Sequence, residues 1–196
     1  MKWLPCCLCV LVVPCLAPVR AGSAQSVPAA AVDSAPKERH ALQVFLGIVE
    51  RAIESAAEAM PADKYDFAPT EGEFRGVRTF RRQVKHLAAT NYILAAAALG
   101  QDPPADAGDE AGPDSVAAKE DVLRYLHGSF VALGNAVAAI GGPPAAVRSS
   151  PISPLQGASA TRPALVVEAL IHAFDHYGQM VVYLRMNGVV PPASRS

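Results

Sequence analysis

Hydrophobic residues recur at three- and four-residue spacing in four separate stretches of the chain, and polar, proline- or glycine-rich segments divide them. Leu42, Phe45, Leu46, Val49, Ile53 and Ala56 make the first stripe, which predicts an amphipathic helix from Lys37 to just before Met60-Pro61. Phe80, Val84, Leu87, Tyr92, Leu94 and Ala98 make the second, within a helix from about Val77 to Leu99 that Gly100 and Pro103-Pro104 stop. Val122, Leu123, Leu126, Phe130, Leu133 and Val137 make the third, with Asp114-Ser115 as its expected cap and Gly141-Gly142-Pro143-Pro144 as its terminator. The fourth opens at Thr161, with Pro163 just inside, and runs to Asn187-Gly188 ahead of Pro191-Pro192. No stretch alternates with the period of a strand. Four such segments predict an all-α fold, a four-helix bundle.

The connections add a topological hint. Residues 61–75, with Pro61, Pro69 and Gly72, read as an ordered crossover loop, residues 101–113 as a polar linker, and a Pro- and Ser-rich stretch leads up to Ala160. The linkers after the first and third helices are long enough to cross the end of a bundle, so simple up-down-up-down order is not forced. Ahead of the helices, Met1 to Ala24 has the form of a signal peptide: Lys2, an apolar run from Leu4 to Ala17, then the small residues Gly22-Ser23-Ala24. That run is shorter than the roughly twenty residues a membrane span needs, carries Pro14 and Pro18, and has no stop-transfer pattern after it. The expectation is an exported protein, periplasmic or secreted, without a permanent membrane anchor. Residues 25–36 read as a flexible leader and residues 37–196 as the bundle.

Composition sharpens the chemistry. All four cysteines, Cys6, Cys7, Cys9 and Cys15, lie within the expected signal, so the mature chain would have neither disulfides nor thiolate ligands. Loss of Lys2 and Arg20 takes Lys+Arg from 17 to 15 against 18 acidic residues, moving the net charge from −1 to −3. A mildly acidic chain with no basic run is poor material for a phosphate backbone, and nucleic acid is not an expected partner.

Histidine is the remaining candidate for metal chemistry. His172 and His176 stand four residues apart in an apolar segment, a spacing that places two imidazoles one helical turn apart on one face, where both can reach a single ion. The pair alone would equally suit an ordinary buried or half-exposed helical face. His86, in the interior of the second helix, adds a third imidazole that a bundle can bring to the same point. Gln179, three residues after His176, is placed to orient a bound water or a histidine. His40 and His127 read as surface or locally satisfied residues, and Asp175 points about 100° away from His176 around the helix. Tyr92, Tyr177 and Tyr183 read as packing residues, Glu71 and Glu73 as solvated loop charges, and Arg185 as a residue favouring its helix dipole.

The segment His172-Ala173-Phe174-Asp175-His176-Tyr177-Gly178-Gln179 resembles the last-helix signature of the DinB/YfiT-like superfamily, in which two histidines four apart are followed by Arg-Gly-Gln. Gln83-Val84-Lys85-His86-Leu87-Ala88 is similar to the second-helix motif of that family, and Tyr183 to Pro192 resembles its ending. The resemblance extends over residues 38–193. It implies a DinB-like bundle of up-down-down-up connectivity that binds a divalent metal, typically zinc or nickel, through His86, His172 and His176. Tyr177 departs from the pattern, standing where the family often has arginine.

Three neutral imidazoles leave at least one coordination position open, the feature that separates catalytic from structural zinc sites. The resemblance brings to mind thiol transferases, in which the metal activates a low-molecular-weight thiol, and a metal-activated water would make a hydrolase. A small-molecule substrate is the partner expected of either, and bundles of this kind often pair as homodimers. The alternative is a non-catalytic metal-binding or stress-related module. Residues with a catalytic role beyond the metal site are not identifiable from the chain.

Overall fold

The computed structural model describes residues 29–107, 109–143 and 146–195. The expected signal peptide lies outside them. Four helices make the fold: α1 (Ala29–Ala59), α2 (Phe80–Leu99), α3 (Lys119–Ala138) and α4 (Arg162–Met186), with no strand among the described residues. This is the four-helix bundle that the hydrophobic pattern predicts. None of these helices is long and apolar enough to cross a membrane.

Each stripe becomes one wall of a single core, except that Phe45 of the first stripe is exposed on the outer side of α1. Leu46, Val49 and Ile53 from α1 meet Val84, Leu87 and Leu94 from α2, Leu126, Phe130 and Leu133 from α3, and Leu165, Val166 and Leu184 from α4, all buried. α1 packs on α3 and α4, and α2 packs on the same two, so α1 and α2 sit diagonally across the bundle. The connection from α1 to α2 must therefore cross one end, which is why residues 60–79 form an ordered strap instead of a tight turn. Tyr65 in that strap is fully buried, and its hydroxyl donates to the Ala57 carbonyl at 2.7 Å.

Helix directions follow from contacts at the ends. Lys119, at the start of α3, donates to the carbonyls of Glu58 and Met60 at the end of α1, both at 2.7 Å. A cation on the last carbonyls of a helix satisfies acceptors that have no partner within it. Arg39 near the other end of α1 reaches the Ile140 carbonyl just past α3, so these two helices are antiparallel. Arg162 opens α4 by donating to Ala98, at the end of α2, and to Ala139, just past α3. α4 is thus antiparallel to α2.

Boundaries differ from the expected ones at three helix starts; α2 begins at Phe80, with Thr79 as its cap, three residues after the expected Val77. α1 begins at Ala29, not Lys37, and carries Pro36 inside it, so the last part of the expected flexible leader is helical and residues 25–28 lie outside the described chain. Alanines at 29–31 favour helix without contributing a stripe, so the hydrophobic period does not reveal them. α3 begins at Lys119 with Ala118 as its cap residue and no side-chain cap bond, instead of at Asp114-Ser115. The acidic residues Glu120 and Asp121 in its first turn complement the positive end of the helix, and Lys119 ties that end to α1. By contrast, the predicted ends of α2 and α4 hold. Gly100 caps α2 at φ 71°, and a Cβ there would stand 2.2 Å from the Ala146 carbonyl oxygen, so only glycine fits. Thr161 caps α4 by accepting from the Ala164 amide.

Candidate metal centre

His86 projects from α2 and His172 and His176 from α4, and the antiparallel packing of these two helices brings all three imidazoles together. The Nε2 atoms of His86 and His172 are 3.2 Å apart, and those of His172 and His176 are 2.9 Å apart. The ring centroids lie 5.1, 4.8 and 4.3 Å from one another, with the planes steeply inclined, so the nitrogen edges converge without stacking. His86 and His176 are buried and His172 is half-buried.

Two of the three rings are held from behind. The Nδ1 of His86 donates to the Glu110 carbonyl at 2.9 Å, which leaves its Nε2 as the lone-pair nitrogen facing the centre. Glu110 holds this carbonyl in place from a backbone at φ 71°, the left-handed region that non-glycine residues rarely adopt, and it is the sole such residue among those described. Nδ1 of His176 meets the Gln83 side-chain amide. The third ring, His172, has its Nδ1 buried without a partner.

The electrostatics keep the trio uncharged. Burial pushes the His172 imidazolium down to about 3 and that of His176 to about 4, with repulsion from neighbouring imidazoles adding to the effect. Burial also lowers His86, against its Glu110 hydrogen bond. All three are therefore uncharged at neutral pH, the protonation state that metal ligation requires. An unfolded chain would take up protons near pH 6.5 that the folded one refuses. Stability must therefore fall as pH drops from about 6.5 towards about 3, the window between the unfolded values and the folded ones. The metal-free melting temperature is expected to decline across that window, and to decline less steeply in His172→Gln; equal slopes would contradict the burial argument.

The donor set fits a divalent ion. Imidazole nitrogens each 2.0–2.1 Å from one tetrahedral ion would be roughly 3.3 Å apart, close to the spacings observed for the Nε2 atoms. Uncharged nitrogens this close to one another, in a site where one ring lacks any partner behind it, gain most from a shared cation. His86, His172 and His176 are the expected ligand positions, and the structure brings all of them to one point.

The comparison with family models matches residues 46–180 to the DinB superfamily, more than half of the chain and inclusive of all three histidines. The chain belongs to the DinB superfamily. The Tyr183–Pro192 ending that also resembles the family lies beyond the matched span. Among curated proteins, no match was found.

Gln179 is exposed and touches His176 only through Gln83, whose side-chain nitrogen donates to Gln179 Oε1 at 2.9 Å. Gln83 and Glu110 were not among the sequence candidates. Gln83 was within reach of one, since it stands on the face of His86 one turn earlier, whereas a carbonyl from a polar loop leaves no signal in sequence. Asp175 is exposed and accepts from Gln179. His40 is exposed, and His127, also exposed, pairs with Glu54 at 2.9 Å. Tyr177 packs beside Phe174, and Tyr183 is buried with its hydroxyl on the Arg78 carbonyl. Glu73 pairs with Arg75 at the surface, and Arg185 donates to the Ser194 hydroxyl.

Beside the centre lies an apolar groove of about 470 Å³, lined by Leu155, Ala164, Val167 and Ile171 and reaching His172.

Proposed function

We propose that this DinB-family protein is an exported metalloprotein in which His86, His172 and His176 hold one divalent ion, zinc or nickel, for chemistry on a small molecule. The observation that carries the reading is the convergence of three uncharged Nε2 atoms from two helices inside the core. When bound, such an ion supplies a Lewis acid that lowers the pKa of an incoming water or thiol. The protein's own part is to keep the three imidazoles neutral, hold His86 by the Glu110 carbonyl, and shield the centre by burial.

The groove at His172 supports a substrate with an apolar body over a purely structural ion. Thiol transfer and hydrolysis both suit the open coordination position of a three-histidine centre. Export favours hydrolysis, because reducing thiols are scarcer outside the cytoplasm. Pairing of two copies is a separate proposal, supported by Phe45, Ile48, Ile171 and Phe174, which are exposed on α1 and α4.

Metal analysis of the full chain, purified without a histidine tag and dialysed against buffered zinc or nickel, tests the central claim. About one ion per chain is expected for a single closed set of three ligands. A chain that retains neither metal would end the proposal.

A further inference from the structure

Gln83 is buried, with 2 % of its surface exposed, and stands three residues before His86 on α2. Its side-chain amide bridges two helices. One contact is to Nδ1 of His176, the ring nitrogen that faces away from the histidine cluster. The other is a bond of 2.9 Å donated to Gln179 Oε1, and Gln179 in turn donates to Asp175 Oδ2 at 2.9 Å. The chain of groups therefore runs from an exposed carboxylate to a buried imidazole.

Its polarity has a consequence for the ring. Asp175 Oδ2 takes the Gln179 nitrogen as its donor, which leaves the Gln179 oxygen facing Gln83. Gln83 is thereby made to present its NH2 group, and His176 Nδ1 becomes an acceptor. The ring proton then sits on Nε2, pointing at Nε2 of His172. A ligating Nε2 cannot carry that proton. For His176 to bind a cation through Nε2, the proton must move to Nδ1 and Gln83 must turn its carbonyl oxygen to receive it.

We infer that Gln83 is the positioning residue that sets the tautomer of His176, offering a donor to the metal-free ring and an acceptor to the ligating one, with Gln179 and Asp175 biasing it towards the donor. A primary amide can serve both forms by rotation alone. The inference rests on the metal-centre reading above.

Zinc titration of the full chain against a competing chelator, at neutral pH, tests it with three variants. Gln83→Leu removes the acceptor and is expected to weaken zinc about 10- to 100-fold, the usual cost of losing a group that orients a ligand. Gln83→Glu supplies a permanent acceptor and is expected to match or exceed the wild type. Gln179→Leu, a surface change, releases Gln83 from its donor orientation and is expected to tighten zinc several-fold. Imidazole ¹⁵N shifts of His176 should move from the Nε2–H form to the Nδ1–H form on zinc addition.

A role in packing alone predicts other signs: the leucine variant would bind normally and the glutamate variant, burying a charge, would bind worse. Either result overturns the inference, as does weaker binding by Gln179→Leu. Should Gln83→Leu not fold, the Gln179→Leu sign and the ¹⁵N shifts decide. Failure of the wild type to bind zinc or nickel would instead overturn the metal centre itself, so the two failures are distinguishable.

Discussion

Replacing His172 with alanine is expected to lower zinc affinity by about a hundredfold or more while leaving the metal-free fold nearly as stable as before. His172 is the hub of the cluster, since its Nε2 is the one within 3.2 Å of His86 and 2.9 Å of His176. Structural zinc sites with four ligands carry apparent binding energies of about 10–16 kcal/mol, so a ligand contributes roughly 3 kcal/mol on average. At about 1.4 kcal/mol per tenfold, that is some two orders of magnitude. The fold should tolerate the change because Ala169, Leu170 and Ala173 beside it retain the core contact of α4. The substitution also removes a buried nitrogen that has no hydrogen-bond partner. Melting of the metal-free variant should therefore stay within about 1 kcal/mol of the wild type. Chelator competition measures the first quantity and thermal denaturation the second. Near wild-type zinc affinity would show that the ion, if bound, lies elsewhere.

That separation between binding and folding reflects what can be read from residues alone. The helical stripes are written in Leu, Val, Ile and Phe at regular spacing, and every stripe became a helix whose apolar face, Phe45 apart, turns inward. Caps were legible where the stop signal is local, as with Gly100 and Thr161. They were not legible where a distant element supplies the partner: the start of α3 is fixed by Lys119 reaching the end of α1, which no local pattern encodes. The metal candidates divide along the same line. His172 and His176 share a helix, so their spacing alone aligns them, and the motif around His86 supplies the third. The Glu110 carbonyl that aims His86 is backbone in a loop. Its placement depends on how the loop around Glu110 lies against α2, and side-chain identity says nothing of that.

The start of α2 is anchored outside the centre, at the crossover strap, and Phe80→Ala is the substitution that should expose how much stability this anchor contributes. Phe80 is fully buried as the first residue of α2. Its ring meets Tyr65 edge-on, with centroids 5.4 Å apart, and Tyr183 at 6.4 Å. Phe67 completes the group against Tyr183 at 5.8 Å. Backbone bonds reinforce it: the amides of Phe80 and Arg81 donate to the carbonyls of Phe67 and Tyr65, at 2.9 and 2.7 Å. The strap thus satisfies first-turn amides of α2 that no helical carbonyl can reach. It also locks the start of α2 to the end of α4, where Tyr183 donates to the Arg78 carbonyl. Truncation of a fully buried phenylalanine costs about 3–5 kcal/mol. For a chain of this size each kcal/mol moves the melting temperature by about 2–4 °C, so a drop of roughly 10 °C is expected. Zinc affinity should change far less than in His172→Ala, because Val84 and Leu87 still pack α2 and the Gln83–Gln179 bond still ties it to α4 beside the histidines. A loss of under about 1 kcal/mol would mean that the aromatic cluster closes over the gap and that the strap contributes little to stability.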